Sequence, residues 1–331
     1  MNPIDILIKY WGHTHFRLAQ EEVINEIIAK KDTLALLPTA GGKSICYQIP
    51  ALLEEGLCLV ISPLIALMHD QIRHLESKGI KSVYINSEMH YSEIETALTN
   101  CIYGGIKFLY LSPEKLQNQL VQSRIQEMNI NLIAVDEAHC ISEWGHNFRP
   151  FYRYISEIRN IIPKAPILAL TATANSNVIK DIQNNLLFKK ENVIRTSFVR
   201  ENISYRVENV KDKKSKLLIL LNKIRSSVII YTNTRRKTQE ITEFLRKNNL
   251  SANYYHAGLT TDEKSKRQLS WIKNQTRIIV ATNAFGMGIN KEDVKLIIHM
   301  DLPSSIESYF QESGRAGRNG EKAYAYLIAN N

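Results

Sequence analysis

No run of residues in this sequence is apolar for long enough to cross a bilayer, so no membrane-spanning helix is expected. Cysteine is scarce as well. Cys46, Cys58, Cys101 and Cys140 lie far apart and form no Cys-x-x-Cys pair, which leaves neither a zinc knuckle nor a disulfide framework to read. Buried free thiols are the expectation for them. The opening residues, MNPIDILIKYWG, lack the positive start, apolar stretch and small-residue cleavage site of a secretion signal, and the expected compartment is the cytoplasm. Proline-rich linkers, low-complexity tracts and short-period repeats are missing too, which excludes a repeat architecture.

What is present is an ordinary globular composition, 44% apolar and 23% charged, over 331 residues, enough chain for two domains with a core each. The net charge of +9 is unevenly spread: residues 206–331 hold 22 Lys or Arg against 12 Asp or Glu, and the rest is close to neutral. Clustered Lys and Arg attract phosphate and displace its counterions, so a polyanion partner is one reading. A solvated basic face is the other.

Short β-branched runs alternate with amphipathic stretches: TLALL, LCLVIS, SVYIN, KFLYLS and LIAVD early, then SVIIYT, ANYYH, RIIVAT and KLIIHM. Strands apolar along their whole length and separated by helices predict parallel sheets covered on both faces. The fold class is therefore α/β, with one open sheet in each half. Capping boxes at Ser92 with Glu95 and at Thr260 with Glu263 predict two helix starts. The boundary falls near residue 205, where NISYRVENVKDKKSK reads as a polar, lysine-rich connection, giving domains 1–205 and 206–331.

The run TLALL leads through PTAGGKS into the helical pattern SICYQIPALL. In such a loop, here Thr39, Ala40, Gly41 and Gly42, backbone N–H groups cradle phosphate, Lys43 reaches the β and γ phosphates, and Ser44 ligates Mg²⁺. Leu37 stands where the strict pattern has its first glycine, and a structural turn is the alternative. Asp136 and Glu137 follow the apolar run LIAVD. A carboxylate at a strand end can hold Mg²⁺, and its neighbour can take a proton from an attacking water, which makes Asp136 the metal candidate and Glu137 the general base. Together the two motifs point to nucleoside triphosphate hydrolysis. Gln311, Gly314, Arg315, Gly317 and Arg318 in QESGRAGRNG offer positive charge for the transition state, with arginines three apart on one side of a helical turn; phosphate contact with nucleic acid is the alternative. Finally, HCISEWGHNFRPFYRY sets Trp144, Phe148, Phe151, Tyr152 and Tyr154 around Arg149 and Arg153. This pattern suits base stacking and phosphate binding, with a core patch as the alternative.

In this order, FRLAQ (16–20), TAGGKS (39–44), SPLIALMHDQ (62–71), DEAHCISEWGHNFRP (136–150), LTATA (170–174), YHAGL (255–259), ATNAFGMGINK (281–291) and QESGRAGR (311–318) resemble helicase superfamily 2, and most closely its RecQ branch. The aromatic-rich loop joined to a DEAH box is specific to that branch. The resemblance implies two tandem RecA-like domains and an ATP-dependent, 3′ to 5′ DNA helicase or translocase, expected to act as a monomer on single-stranded and tailed duplex DNA. Its cofactors would be ATP and Mg²⁺, with no zinc in this chain and no membrane partner.

The resemblance also implies that Gln20 recognises adenine, that Arg17 packs on the base with His13 where the family often has tyrosine, and that Thr171 and Thr173 couple the domains. Gly286 and Gly288 would lie near the cleft, with Gln311, Arg315 and Arg318 at the nucleotide. Trp144, His146, Phe148 and Arg149 would contact DNA. Ala40 replaces a common glycine, and FRLAQ lacks the usual proline and glycine. The four-cysteine zinc module and winged helix of typical members are not in this sequence, which leaves ATPase and translocation as the firmer expectation and unwinding as the weaker.

Overall fold

Strands in which alternate side chains are all apolar need cover on both faces, and the chain provides it twice. The computed structural model describes residues 2–38, 41–86, 88–144, 148–197, 199–285 and 291–330. They form two compact units, 1–198 and 199–331.

The first unit contains β1 (Thr33–Leu36), β2 (Leu57–Ile61), β3 (Ser82–Ile85), β4 (Phe108–Leu111), β5 (Ile130–Val135), β6 (Ile167–Thr171) and β7 (Val193–Arg195). They pair in parallel in the order β3-β4-β2-β5-β6-β1-β7. Leu34 and Leu36 of β1 point into one buried cluster, and Ala35 and Leu37 into the cluster on the other face. Each fully buried Leu or Ile contributes about 1.5–3 kcal/mol, so this two-sided alternation holds the sheet between its helices. At the N-terminal edge a buried ion pair staples three segments. Asp32 meets Arg159 at 2.9 Å while accepting from Ile167 N and Lys189 N, and Arg159 donates to Ala165 O.

The second unit contains β8 (Ile203–Asn209), β9 (Ser227–Tyr231), β10 (Ala252–Tyr255), β11 (Ile278–Ala281), β12 (Val294–His299) and β13 (Ala323–Ala329), parallel in the order β10-β11-β9-β12-β13-β8. Two tandem RecA-like α/β units are thus the architecture. The expected boundary near 205 would cut β8, which pairs with β13 from Ile203 to Asn209; the units divide at 198/199 instead. As the outer strand of its sheet, β8 exposes most of its side chains, so its polar, alternating sequence reads as a connection.

The capping box at Thr260 with Glu263 is present, whereas the cap expected on Ser92 with Glu95 falls two residues earlier, on His90 with Glu93, and the helix begins at Tyr91. All four cysteines are free and buried. No helix among the described residues is long and apolar enough to cross a membrane.

Candidate functional site

In the first sheet β5, β6 and β1 are neighbours, so their C-terminal ends deliver three motifs side by side, at the end where open parallel sheets bind ligands. After β1, Leu37 N donates to Thr171 O at the end of β6 (3.1 Å), and Gly41 N turns back onto Pro38 O (2.9 Å). Lys43 and Ser44 then lead into the helix Ile45–Leu53, anchored by buried Cys46 and Tyr47. Expected loop residues Thr39 and Ala40 lie outside the described residues.

Gln20 opens the helix Gln20–Ile28 and is buried. Its Nε2 donates to both Gly41 O and Gly42 O (3.1 Å each), and its Oε1 accepts from Arg17 N (2.9 Å). The side chain expected to meet adenine therefore spends both amide hydrogens on the phosphate-loop backbone here. Gly42 is required on two grounds: its φ is 69°, and a Cβ there would lie 2.3 Å from Gln20 Nε2. His13 and Arg17 are both exposed.

Asp136 N donates to Ile61 O, and Asp136 Oδ1 accepts from Glu137 N (3.0 Å). Glu137 sits at φ 49°, ψ 45°, a left-handed conformation that costs a residue with a side chain about 1–2 kcal/mol and that recurs at functional turns. Burial first, and the Glu137 carboxylate second, push the Asp136 carboxyl up to about 6, opposed by Lys43. That opposition records the closeness of Lys43 to the acid. His139 Nδ1 lies 3.4 Å from Glu137 Oε2 and 2.9 Å from Thr171 Oγ1, which in turn donates to Thr173 O (3.2 Å). His139 stands in the DEAH run, but its role depends on a link to Thr171 that spans 32 residues and that the sequence does not show.

Ser44 hydroxyl and Asp136 carboxylate are hard oxygen donors of the kind Mg²⁺ takes in small number, leaving the rest of its shell to phosphate and water. Among the described residues no cluster of three or more His, Cys, Asp or Glu could hold a metal by itself.

The aromatic loop leaves the acids directly. Trp144 is 71% exposed, Phe148 is half-buried with the Arg153 guanidinium 5.2 Å from its ring centre, and Phe151 is 38% exposed. Arg149 is held by its own N–H on Cys140 O (2.8 Å) and by Nη1 on Pro63 O (3.1 Å). Tyr152 corrects the expectation of a stacking ring. It is fully buried and donates its hydroxyl to Asp136 O (2.9 Å), so it is a core strut beneath the acids. His146 and Asn147 lie outside the described residues. Ser142 Oγ ties the loop to Asp181 (2.6 Å), a contact with no sequence signal.

In the second unit the helix Ile306–Ser313 carries Gln311 and ends before the arginines, so Arg315 and Arg318 stand on turns rather than on the helical face expected. Arg315 is buried. Burial, then the charge of Arg315, press the Arg318 guanidinium down to about 9. Tyr231, whose phenol is raised by burial and opposed by Arg315, donates to Phe285 O at the start of the glycine-containing segment (3.2 Å). Gly286 and Gly288 lie outside the described residues.

The DEAD/DEAH box helicase family model matches residues 17–182, and the helicase conserved C-terminal domain matches 211–320. The chain is 44% identical over 326 residues to the ATP-dependent DNA helicase RecQ of Pasteurella multocida, covering 98% of this chain and 52% of that protein. It is 43% identical over 328 residues to the RecQ of Bacillus subtilis, covering 98% and 55%. The chain belongs to the DEAD/DEAH box helicase family, in its RecQ branch.

This RecQ-type core spans about half the length of these two relatives. Its fold is shared with the DUF1998 helicase MrfA solved bound to DNA, at a TM-score of 0.83 and 17% identity, over 100% of this chain and 51% of that one. In this sequence the loop from His139 to Tyr154 follows the acids without a break. The bond from Tyr152 to Asp136 makes the two physically continuous here.

Proposed function

We propose that this chain is the ATP-hydrolysing motor core of a DNA helicase, moving 3′ to 5′ on single-stranded DNA and acting on tailed duplexes as a monomer. The first unit would be the ATP-binding RecA-like domain and the second the C-terminal RecA-like domain. The observation that carries the reading is the convergence of Lys43, Asp136 and Glu137 at the ends of β1 and β5 in one parallel sheet, with Lys43 opposing the raised Asp136 carboxyl.

In this reading the backbone of residues 39–42 and Lys43 bind the phosphates of ATP, and His13, Arg17 and Gln20 flank the base. Mg²⁺, held by Ser44 and Asp136, would neutralise phosphate charge. Glu137 accepts the proton of the attacking water, aided by the left-handed turn that aims its carboxylate. Arg315 and Arg318 would supply positive charge from the second unit, with Gln311 and Gly286 as further nucleotide-binding positions. Trp144, Phe148 and Arg149 would stack on bases and hold backbone phosphate, as would His146. Thr171, one bond from His139, and Thr173, one bond further on, would couple the units.

A strand-displacement assay on 3′-tailed and 5′-tailed duplexes, with and without ATP, tests the reading together with ATPase rates on single-stranded DNA and RNA. Displacement confined to the 3′-tailed substrate with ATP, and stronger stimulation by DNA, is expected. DNA-stimulated hydrolysis without displacement would reduce the chain to a translocase. No nucleic-acid-stimulated hydrolysis would end the motor reading.

A further inference from the structure

The residues that open the second unit grip the turn that carries its arginines. Arg200 lies just past the division at 198/199. Its Nη1 donates to Gly314 O (3.3 Å), and its Nη2 donates to Ala316 O (3.2 Å) and Gly317 O (2.9 Å). Its Nε reaches Asn202 Oδ1 (3.3 Å). Asn202 completes the grip: its Nδ2 donates to Gly317 O (2.8 Å) and Glu321 O (2.9 Å), and its carbonyl accepts from Ala323 N (2.8 Å).

The turn needs such a grip for two physical reasons. Carbonyls at and beyond the end of the helix Ile306–Ser313 have no partner within that helix, and a guanidinium at a helix C-terminus satisfies them and complements its negative end. Arg315 and Arg318 also repel each other, so a short turn left to itself would spread them. Gly317 marks how close the grip is. Its φ is 59°, and a Cβ there would lie 2.5 Å from Asn202 Nδ2. Of the five N–H donors of Arg200, the four bonds above commit four. Its guanidinium thus faces main chain and has little left to offer a phosphate.

We propose that Arg200 and Asn202 are positioning residues for hydrolysis: they fix the Gly314–Gly317 turn so that Arg315 and Arg318 project in one register. The proposal rests on the reading of those two arginines given above. Any shift of the segment 199–202 is delivered to the carbonyls flanking Arg315, which makes this segment the route by which strain at the division would reach the arginines.

The test compares Arg200→Gln, Arg200→Lys, Asn202→Ala and Arg318→Ala in steady-state ATP hydrolysis with saturating single-stranded DNA, with thermal midpoints measured alongside. Arg200→Gln and Asn202→Ala are expected to lower kcat by roughly tenfold or more while the KM for ATP stays within about threefold, the pattern of a misplaced transition-state contact. Arg200→Lys recovers part of the rate. Placed on Arg318→Ala, Arg200→Gln adds little further loss, because both act through one group. If Arg318→Ala is inactive while Arg200→Gln and Asn202→Ala only melt earlier and turn over normally, the grip is a structural staple and the inference falls alone. If Arg318→Ala itself turns over normally, the reading of the arginines falls and takes the inference with it. Should Arg200→Gln not fold, Asn202→Ala and Arg200→Lys decide by the same criterion.

Discussion

His139 Nδ1 lies 2.9 Å from Thr171 Oγ1, which joins the turn bearing the acids to the end of β6. Thr171 also turns onto Thr173, so a disturbance at one strand end has a path of single bonds to the next. Thr171→Val keeps the shape and removes the hydroxyl, leaving the buried His139 short of a partner. A loss of about 1–3 kcal/mol in stability is expected, with ATP binding kept and DNA stimulation of hydrolysis reduced. Unchanged stimulation, measured as the ratio of rates with and without DNA, would remove the coupling role.

Glu137→Gln preserves size and the left-handed turn but removes the proton acceptor. Hydrolysis is expected to fall by about 10²–10⁴ while a fluorescent ATP analogue binds within a few-fold of normal. Near-normal hydrolysis would refute the base assignment.

Replacing Trp144, Phe148 and Arg149 with alanine should leave hydrolysis without DNA largely intact and abolish its stimulation by DNA. Trp144 is free to stack, being 71% exposed, whereas Arg149 also braces the loop on Pro63 O, so Arg149→Ala alone should be more damaging than Phe148→Ala alone. Stimulation curves for the single and triple variants check this, and full stimulation of the triple variant contradicts it.

Asp32→Ala would strand Arg159 in the interior of the first unit and strip two backbone N–H groups of their acceptor. A cost of about 3–5 kcal/mol is expected. The melting of that unit, followed by calorimetry, should move down by roughly 10 °C. A shift of a degree or less would show the pair to be dispensable.

Burial pushes the thiols of Cys46, Cys101 and Cys140 up to about 12, and that of Cys58 higher still. Native protein at pH 8 should therefore react with a thiol reagent orders of magnitude more slowly than unfolded protein. The sign for stability follows. Unfolded thiols release their protons near pH 8.5 and folded ones do not, so the thiols' contribution is intact below that pH and declines as pH rises above it. Rapid native labelling of any of the four would contradict their burial.

Nine of the thirteen strands among the described residues were legible because their sequences are largely apolar, the pattern a covered parallel sheet imposes. β7, with three residues, is too short to carry a period, and β8 hides behind the polar side chains of an outer strand. Lys43, Ser44, Asp136 and Glu137 were legible because strand-end motifs are local in sequence. The bonds from Gln20 to the loop, from His139 to Thr171 and from Arg200 to the arginine turn are not local, and residue type alone does not say which distant carbonyl a donor will find. Tyr152 misled for the same reason: five rings in one loop look alike until packing buries one of them.

Gly42 and Gln20 fit as key and lock, since the absent side chain of one is the space filled by the amide of the other. Changing either disturbs the other. A side chain at residue 42 would push the glutamine amide from its seat and still have to adopt a left-handed backbone, whereas a shorter residue at position 20 would take the donor away from two loop carbonyls, so the glycine is the less forgiving half of this corner.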